Sequence, residues 1–200
     1  MKGKVSMNRL LKVAAPALLV AAIICQSVGF QGVLAKDNVT TASSDHVSNL
    51  TDQQLQALTN PILQSYKAAN SHKVWKMTAD SRLAVLANQT NIENVRLQEV
   101  VKLVNSEFVE KGIISSPLAM VFAQEKDVSY GDILINIDKA NPITNNSNSE
   151  EAYKITIGED GVRLTGASEN AVMHGLRTIQ NLAITNDGLV YGEIIDYPNV

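Results

Sequence analysis

Residues 166–182 read GASENAVMHGLRTIQNL, and this stretch decides how the C-terminal part of the chain folds. Its apolar residues recur at the spacing of one helix face, which predicts an amphipathic helix with Ser168 as its N-cap. His174 and Gly175 lie in the middle of that helix, where they could mark a functional site. A glycine in a helix interior costs about 1 kcal/mol relative to alanine. The spacing favours packing for both: Gly175 permits close approach to a sheet, and His174 is a half-buried helix residue. The apolar stripe consists of Val172, Leu176, Ile179 and Ala183, with Met173 and Leu182 beside it.

Strand patterns surround this helix on both sides. YKITI and VRLTG alternate in polarity and flank GEDG, whose glycines suit a tight hairpin turn, and GLVYGEIIDYP predicts a last strand. Residues 91–111 carry the apolar stripe of a second helix, and Gly112 supplies its stop. Neighbouring strands are mostly joined by short connections. We therefore predict an α+β fold, with a largely antiparallel sheet and the two amphipathic helices packed on one face. The other predicted strands lie in residues 72–78, 80–86, 117–123 and 131–138.

The first 35 residues have the organisation of a secretory signal peptide. A basic segment without acidic residues precedes the apolar run VAAPALLVAAII, and VLA places small residues before Lys36. An uncleaved N-terminal anchor is the alternative, but a membrane span needs about 20 apolar residues. Ile24 before Cys25 argues against a lipoprotein signal. We predict a protein that is secreted from a Gram-positive bacterium or associated with its cell wall, with no membrane contact after cleavage.

Charge and segment boundaries follow from that cleavage. Loss of the basic segment makes the formal net charge more negative than −3, which argues against a nucleic-acid partner. Residues 36–70 are predicted to be a polar linker with a short helix, since Thr51 and Gln54 resemble a capping box. Residues 71–197 are predicted to form the α+β domain.

Sequence motifs for catalysis or cofactor binding do not occur in this chain. The His-Glu-x-x-His motif, the Gly-x-Ser-x-Gly elbow and the phosphate-binding loop are all missing. A glycosidase acid needs a dry setting that raises its pKa. The candidate carboxylates have no such apolar setting in the sequence. We predict no catalytic, cofactor-binding or metal-binding residue and no cofactor. The carboxylates weighed were the pairs Glu150 with Glu151 and Glu159 with Asp160, and Asp196 near the last strand's end.

The hairpin, the following helix and the last strand together resemble a known family. They are similar to the zincin-like domain that precedes the catalytic barrel in secreted β-N-acetylhexosaminidases of glycoside hydrolase family 20. That family has a Tyr-x-Ile-x-Ile hairpin strand, a helix close to Gly-Ala-x-x-Gly-Leu-x-Thr-Leu-x-Gln-Leu, and a strand ending Ile-x-Asp-x-Pro-Arg-Phe. IIDYPNV matches the last pattern as far as Pro198, and the resemblance is weak before Glu150. The matching helix residues are Gly175, Leu176, Thr178, Gln180 and Leu182.

The resemblance implies an activity located outside this chain. Family enzymes release terminal β-linked N-acetylhexosamine with retention, using the substrate's own acetamido group as nucleophile. The orienting aspartate, the glutamate that acts as general acid and a substrate-binding arginine would all lie beyond Val200. Residues 198–200 would begin the junction to a catalytic TIM barrel, which is the expected partner and would bind the glycan. This domain would be non-catalytic.

Two alternatives stay open at this point. The same small domain precedes the barrel of family 84 hexosaminidases, both hyaluronidase-like and O-GlcNAc-removing, whose junction reads Asp-Tyr-Pro-Asp-Val. DYPNV in this chain is close to that pattern. The second alternative is a free-standing module for glycan binding or adhesion.

Overall fold

Nine strands and four α-helices are formed by the residues that the structure, a computed structural model, describes: 50–71, 73–140, 143, 150–186 and 188–197. The helices are α1 (Asp52–Gln56), α2 (Gln89–Ile92), α3 (Val95–Glu110) and α4 (Glu169–Asn186), and a 3₁₀ turn spans Glu125–Asp127. The strands are β1 (Ser65–Ala68), β2 (Val74–Trp75), β3 (Arg82–Leu86), β4 (Ala119–Ala123), β5 (Ile133–Ile137), β6 (Tyr153–Gly158), β7 (Gly161–Gly166), β8 (Leu189–Val190) and β9 (Gly192–Asp196). The predicted signal peptide, the linker up to residue 49 and the junction at 198–200 lie outside the described residues.

Seven strands form one mixed sheet in the order β1-β9-β6-β7-β5-β3-β4, and β2 pairs with β8 separately. The pairs β1–β9, β9–β6 and β6–β7 are antiparallel. The pairs β7–β5, β5–β3 and β3–β4 are parallel. The α+β class is confirmed, but half of the pairings are parallel where a largely antiparallel sheet was predicted. The helices α2 and α3 connect β3 to β4, and such a crossover returns the chain to the strand's starting end, so the next strand runs parallel.

Both long helices pack on the same face of this sheet. Apolar side chains of α3 and α4 share one buried cluster with alternate residues of β3, β5 and β7. The opposite face has a much smaller buried cluster of Ala84, Ala123 and Leu134. The prediction of two amphipathic helices on one face is therefore confirmed. Members of the large cluster include Leu83, Leu97, Val101, Phe108, Ile133, Ile135, Leu164, Leu176 and Ile179.

Residues 50–70 belong to the folded domain, whereas the sequence predicted a linker up to residue 70. The short helix α1 and its capping box at Thr51 are present as predicted. β1 pairs with β9 along its whole length, however, and Leu55 and Tyr66 are fully buried. The Tyr66 hydroxyl donates to the Val190 carbonyl oxygen at 2.8 Å. A four-residue strand with one buried side chain is too short to give a periodic signal, which is why the sequence did not indicate it.

The predicted hairpin of β6 and β7 is present, with Gly161 in its turn at φ +94°. The predicted strand in residues 72–78 shortens to Val74 and Trp75, and the predicted last strand divides into β8 and β9 at Tyr191. Trp75 is fully buried, and its indole Nε1 donates to the Tyr130 carbonyl oxygen at 2.7 Å. None of the helices in the described part of the chain combines the length and apolar character needed to cross a membrane.

Candidate functional site

Helix α4 presses against the hairpin at Gly175, and this contact answers the question that the sequence raised. A Cβ atom at Gly175 would lie 2.3 Å from Leu164 Cδ1 and 3.2 Å from Tyr153 Cδ2. At the start of the helix, the backbone N–H of Ala171 donates to Ser168 Oγ at 3.2 Å. The predictions that Gly175 serves close packing and that Ser168 is the N-cap are confirmed. Gly175 is a packing residue.

His174 lines a cleft of about 450 Å³ that we name the exit cleft. Its lining includes residues 59–64 and a polar part of the α4 surface, the α4 wall, formed by His174, Arg177, Thr178 and Asn181. Asp196, the last residue of β9, and Tyr197 after it also line the cleft. His174 is half-buried, as predicted. The cleft is therefore lined by both polar and apolar side chains, and Tyr197, the last residue that the structure describes, is one of the lining residues.

Hydrogen bonds among residues that line the exit cleft join four separate parts of the fold. The hydroxyls of Tyr153 and Thr178 are 2.6 Å apart, and the Tyr153 hydroxyl donates to Asp196 Oδ2 at 2.9 Å. The Gln64 backbone N–H donates to Asp196 Oδ1 at 3.1 Å. Burial, and to a smaller degree the charge of Asp196, raises the pKa of the Tyr153 phenol, so the phenol stays protonated and can donate. These hydrogen bonds, which we name the tyrosine network, hold the end of β9 to β6, α4 and the segment before β1.

A second polar contact ties α4 to α3 beside the cleft. Arg177 donates from two nitrogens to the Glu107 carboxylate, at 2.7 and 3.2 Å, in a forked ion pair. The hydrogen bond from Arg177 lowers the pKa of Glu107. Lys111 also donates to the side-chain oxygen of Gln180. These contacts link α3 to α4 and place the Glu107 carboxylate in an ion pair.

Four carboxyl groups in the described residues have pKa values displaced from their ordinary values. A general acid needs a raised pKa, yet every carboxyl pKa that is displaced here is lowered. Desolvation acts to raise the pKa of the buried Asp132, but hydrogen bonds from Arg82 and Ser129 outweigh it. Among these residues no group of three metal-binding side chains comes together. The other lowered groups are Glu107 beside Arg177, Glu159 beside Lys73 and Glu169 beside Asn94.

Of the candidate carboxylates from the sequence, Glu151 and Asp196 both line the exit cleft, whereas Glu159 lies apart from them. Glu159 is largely exposed in the hairpin turn and pairs with Lys73. Glu151 lines the exit cleft, and Asp196 also takes part in the tyrosine network. Sequence reasoning did not foresee the link between Tyr153 and Asp196. The sequence showed only that Tyr153 and Asp196 each lie near one end of a predicted strand. Whether two strand ends lie side by side depends on how the strands pair in the sheet.

The sequence pattern of the family described as glycosyl hydrolase family 20, domain 2, matches residues 59–197. This match covers more than half of the chain, and the chain therefore belongs to that family. The match begins at residue 59, which agrees with the presence of β1 in the sheet. It names family 20 and not family 84, so the family 20 resemblance is confirmed. The sequences of curated proteins gave no match.

Solved structures with the same fold include two enzymes of this family. The family 20 β-N-acetylhexosaminidase of Streptomyces coelicolor A3(2) is 16% identical with a TM-score of 0.51, over 75% of this chain and 28% of the enzyme. The chitobiase of Flavobacterium johnsoniae is 15% identical with a TM-score of 0.50, over 74% of this chain and 22% of the enzyme. At these identities the likeness concerns the fold. This chain corresponds to about a quarter of the length of those enzymes.

Proposed function

We propose that this chain is the non-catalytic N-terminal part of a secreted glycoside hydrolase that removes terminal β-linked N-acetylhexosamine from glycans. The observation that carries the proposal is the family match over residues 59–197. Cleavage is retaining and substrate-assisted, and its catalytic residues belong to a TIM barrel elsewhere in the same polypeptide.

In this proposal the exit cleft carries the connection to the catalytic barrel. The tyrosine network holds Asp196, the last residue of β9, by two hydrogen bonds. A strand end that is fixed in this way sets the direction in which the following chain leaves the domain. The polar residues along the α4 wall of the cleft suit an interface between domains, which is more polar than a permanent subunit interface.

Export is the second part of the proposal. Residues 1–35 act as a cleaved signal peptide, and the mature protein begins at Lys36. The measurement is N-terminal sequencing of the protein recovered from the medium or the cell wall of a Gram-positive host. The control replaces Leu18 and Leu19 by arginine, which interrupts the apolar run and should keep the protein inside the cell. A secreted protein that still begins at Met1 would refute the cleavage.

The activity is tested with nitrophenyl N-acetyl-β-glucosaminide as substrate. The 200-residue chain should give no turnover, and the product of the complete gene should release nitrophenol. Reading the codons after Val200 gives an independent check, since an Arg-Gly pair followed by a barrel strand is expected. Turnover by the 200-residue chain would contradict its non-catalytic role. A stop codon directly after Val200, with glycan binding by the chain alone, would favour a free-standing binding module.

A further inference from the structure

The strand β4 presents an unpaired and uncharged edge. It is the last strand of the seven-stranded sheet, and β3 is its one neighbour among the described residues. Its sequence is Ala-Met-Val-Phe-Ala, without a charge, a proline or a glycine. Phe122 is 42% exposed and Ala119 is also exposed. An edge of this kind offers a row of backbone donors and acceptors to another strand.

The opposite edge of the same sheet, at β1, is protected against the addition of another strand. β1 carries the exposed Lys67, and the Asp52 carboxylate accepts a hydrogen bond from the Ala68 backbone N–H at 2.9 Å. A charged side chain and a backbone group already in use are both known means of preventing strand addition. One edge of the sheet therefore carries the usual protection, and the β4 edge lacks it.

The residues of β4 are arranged so that the strand can pair with itself. If two copies run antiparallel about a two-fold axis at Val121, Ala119 lies opposite Ala123 and Met120 lies opposite Phe122. Small residues then face small ones, and each thioether lies beside an aromatic ring, which is a favourable cross-strand pair. We propose that β4 is an interaction surface for a second copy of this chain, which pairs edge to edge about Val121.

The flanking charges are compatible with this register. The charged 3₁₀ turn after β4, Glu125–Asp127, would lie opposite residues 115–117 of the other copy. Those residues are Ser115, Ser116 and Pro117, so no like charges meet across the interface. Like charges placed directly opposite each other destabilise strand pairs. A register slipped by two residues towards the 3₁₀ turn would place Glu125 opposite Ala119, and pairing about Val121 avoids that contact.

The interface is small, and this sets the expected strength. Each copy contributes a strand of five residues, whereas stable dimers bury roughly 1,200 Å² or more in total. We therefore expect a weak dimer whose population rises with concentration between the micromolar and millimolar ranges. Sedimentation of the wild-type chain and of the complete gene product should show this rise.

Disulfide trapping tests the register itself. The chain has one cysteine, Cys25, so Cys25→Ser gives a background in which an introduced thiol is the only one. Opposed residues in an antiparallel pair have Cα atoms about 4.5–5.5 Å apart, within the range that a disulfide spans. Val121→Cys should therefore give cross-linked dimer under mild oxidation. Phe122→Cys is the matched control, because each Cys would lie opposite Met120 and too far from its own copy.

A pair of surface variants distinguishes pairing through β4 from non-specific hydrophobic association. Phe122→Lys places a charge on the edge, and it should reduce cross-linking through the cysteine introduced at position 121 at least tenfold. Ile184→Lys replaces a similarly exposed apolar residue on α4, and it should leave cross-linking unchanged. Tryptophan fluorescence of the buried Trp75 checks that each variant is folded.

Three outcomes would overturn the proposal. These are equal cross-linking by Val121→Cys and Phe122→Cys, equal effects of the two lysine variants, and a complete gene product that stays monomeric at every concentration. The last outcome would mean that another part of the polypeptide covers β4. The test does not depend on hexosaminidase activity, so its result is independent of the proposed function.

Discussion

Gly175→Ala is the substitution that most directly tests the packing of α4 on the sheet. The added Cβ would lie 2.3 Å from Leu164 Cδ1, and Leu164 is fully buried and unable to swing into solvent. Tyr153, the other neighbour, is held by the hydrogen bond to Asp196. Overpacking of a core costs about 1–3 kcal/mol, while alanine gains about 1 kcal/mol of helix propensity over glycine. We expect a net loss of about 1 kcal/mol in the free energy of unfolding.

A double-mutant cycle isolates the clash from the helix propensity. Leu164→Val removes the Cδ atoms and should cost about 1–2 kcal/mol by itself. In that background Gly175→Ala should be neutral or stabilising, which gives a coupling of about 1 kcal/mol or more between the two sites. Urea unfolding followed by the fluorescence of Trp75, the chain's one tryptophan, measures all four free energies.

Ile184, an exposed residue on the same helix, provides the control for Gly175→Ala. Ile184→Ala changes an exposed position on the same helix and should stay within about 0.5 kcal/mol of the wild type. If Gly175→Ala is as stable as the wild type, or if the coupling with Leu164→Val is absent, the close-approach explanation of Gly175 is wrong.

Three further predictions concern the hairpin turn, the helix pair and the tyrosine network. Gly161→Ala should lower the free energy of unfolding by about 1–3 kcal/mol, because Gly161 has a φ of +94° and an added Cβ would lie 2.7 Å from a backbone carbonyl oxygen. Gly158→Ala is the matched control in urea unfolding, since no atom lies within 4 Å of an added Cβ there. Arg177→Met removes the ion pair with Glu107 and should lower the free energy of unfolding by about 1 kcal/mol at neutral pH. The ion pair lowers the pKa of Glu107 in the folded protein. The ion pair therefore contributes fully to stability above pH 4.5, the pKa of an unfolded glutamate, and the contribution is lost as the pH falls through the lowered pKa of the folded state. Tyr153→Phe should lower the free energy of unfolding by about 1–2 kcal/mol, since it leaves the buried Thr178 and the half-buried Asp196 with one hydrogen bond fewer each.

Each of these predictions has a distinct contradicting outcome. Equal effects of the two glycine substitutions would show that the turn does not require a positive φ. A stability gap between Arg177→Met and the wild type that persists at pH 2–3 would show that the loss is one of packing and not of charge. A tyrosine variant as stable as the wild type would mean that water replaces the phenol hydroxyl without loss.

Local pattern determined the elements and the family of this protein. The apolar spacing of residues 166–182 predicts α4 and the role of Gly175, and the alternation around GEDG predicts the hairpin. These features could be predicted because they depend on side chains within one or two turns of each other. The same stretch carries the residues that match the family, so membership was also readable from the sequence.

Strand direction and the inclusion of β1 were decided by tertiary structure. Alternation of polarity shows which face of a strand is buried, and it is the same for parallel and antiparallel neighbours. The crossover through α2 and α3 makes β3 and β4 parallel, and only the position of that helical connection relative to the sheet determines this. β1 joins the sheet because β9 presents a free edge to it, and no periodicity within its four residues could have indicated this.

The exit cleft likewise combines residues that the sequence indicated with contacts that only the tertiary structure creates. The sequence drew attention to His174 and Asp196 individually, but the hydrogen bonds that join Asp196 to Tyr153 and Gln64 cross 43 and 132 residues of chain. Contacts over such separations arise from the order of strands in the sheet, which brings the end of β9 between β1 and the start of β6. The sequence by itself therefore determined which residues could pack or bond. The strand order decided which of them meet, because hydrogen bonds act only across a few ångströms.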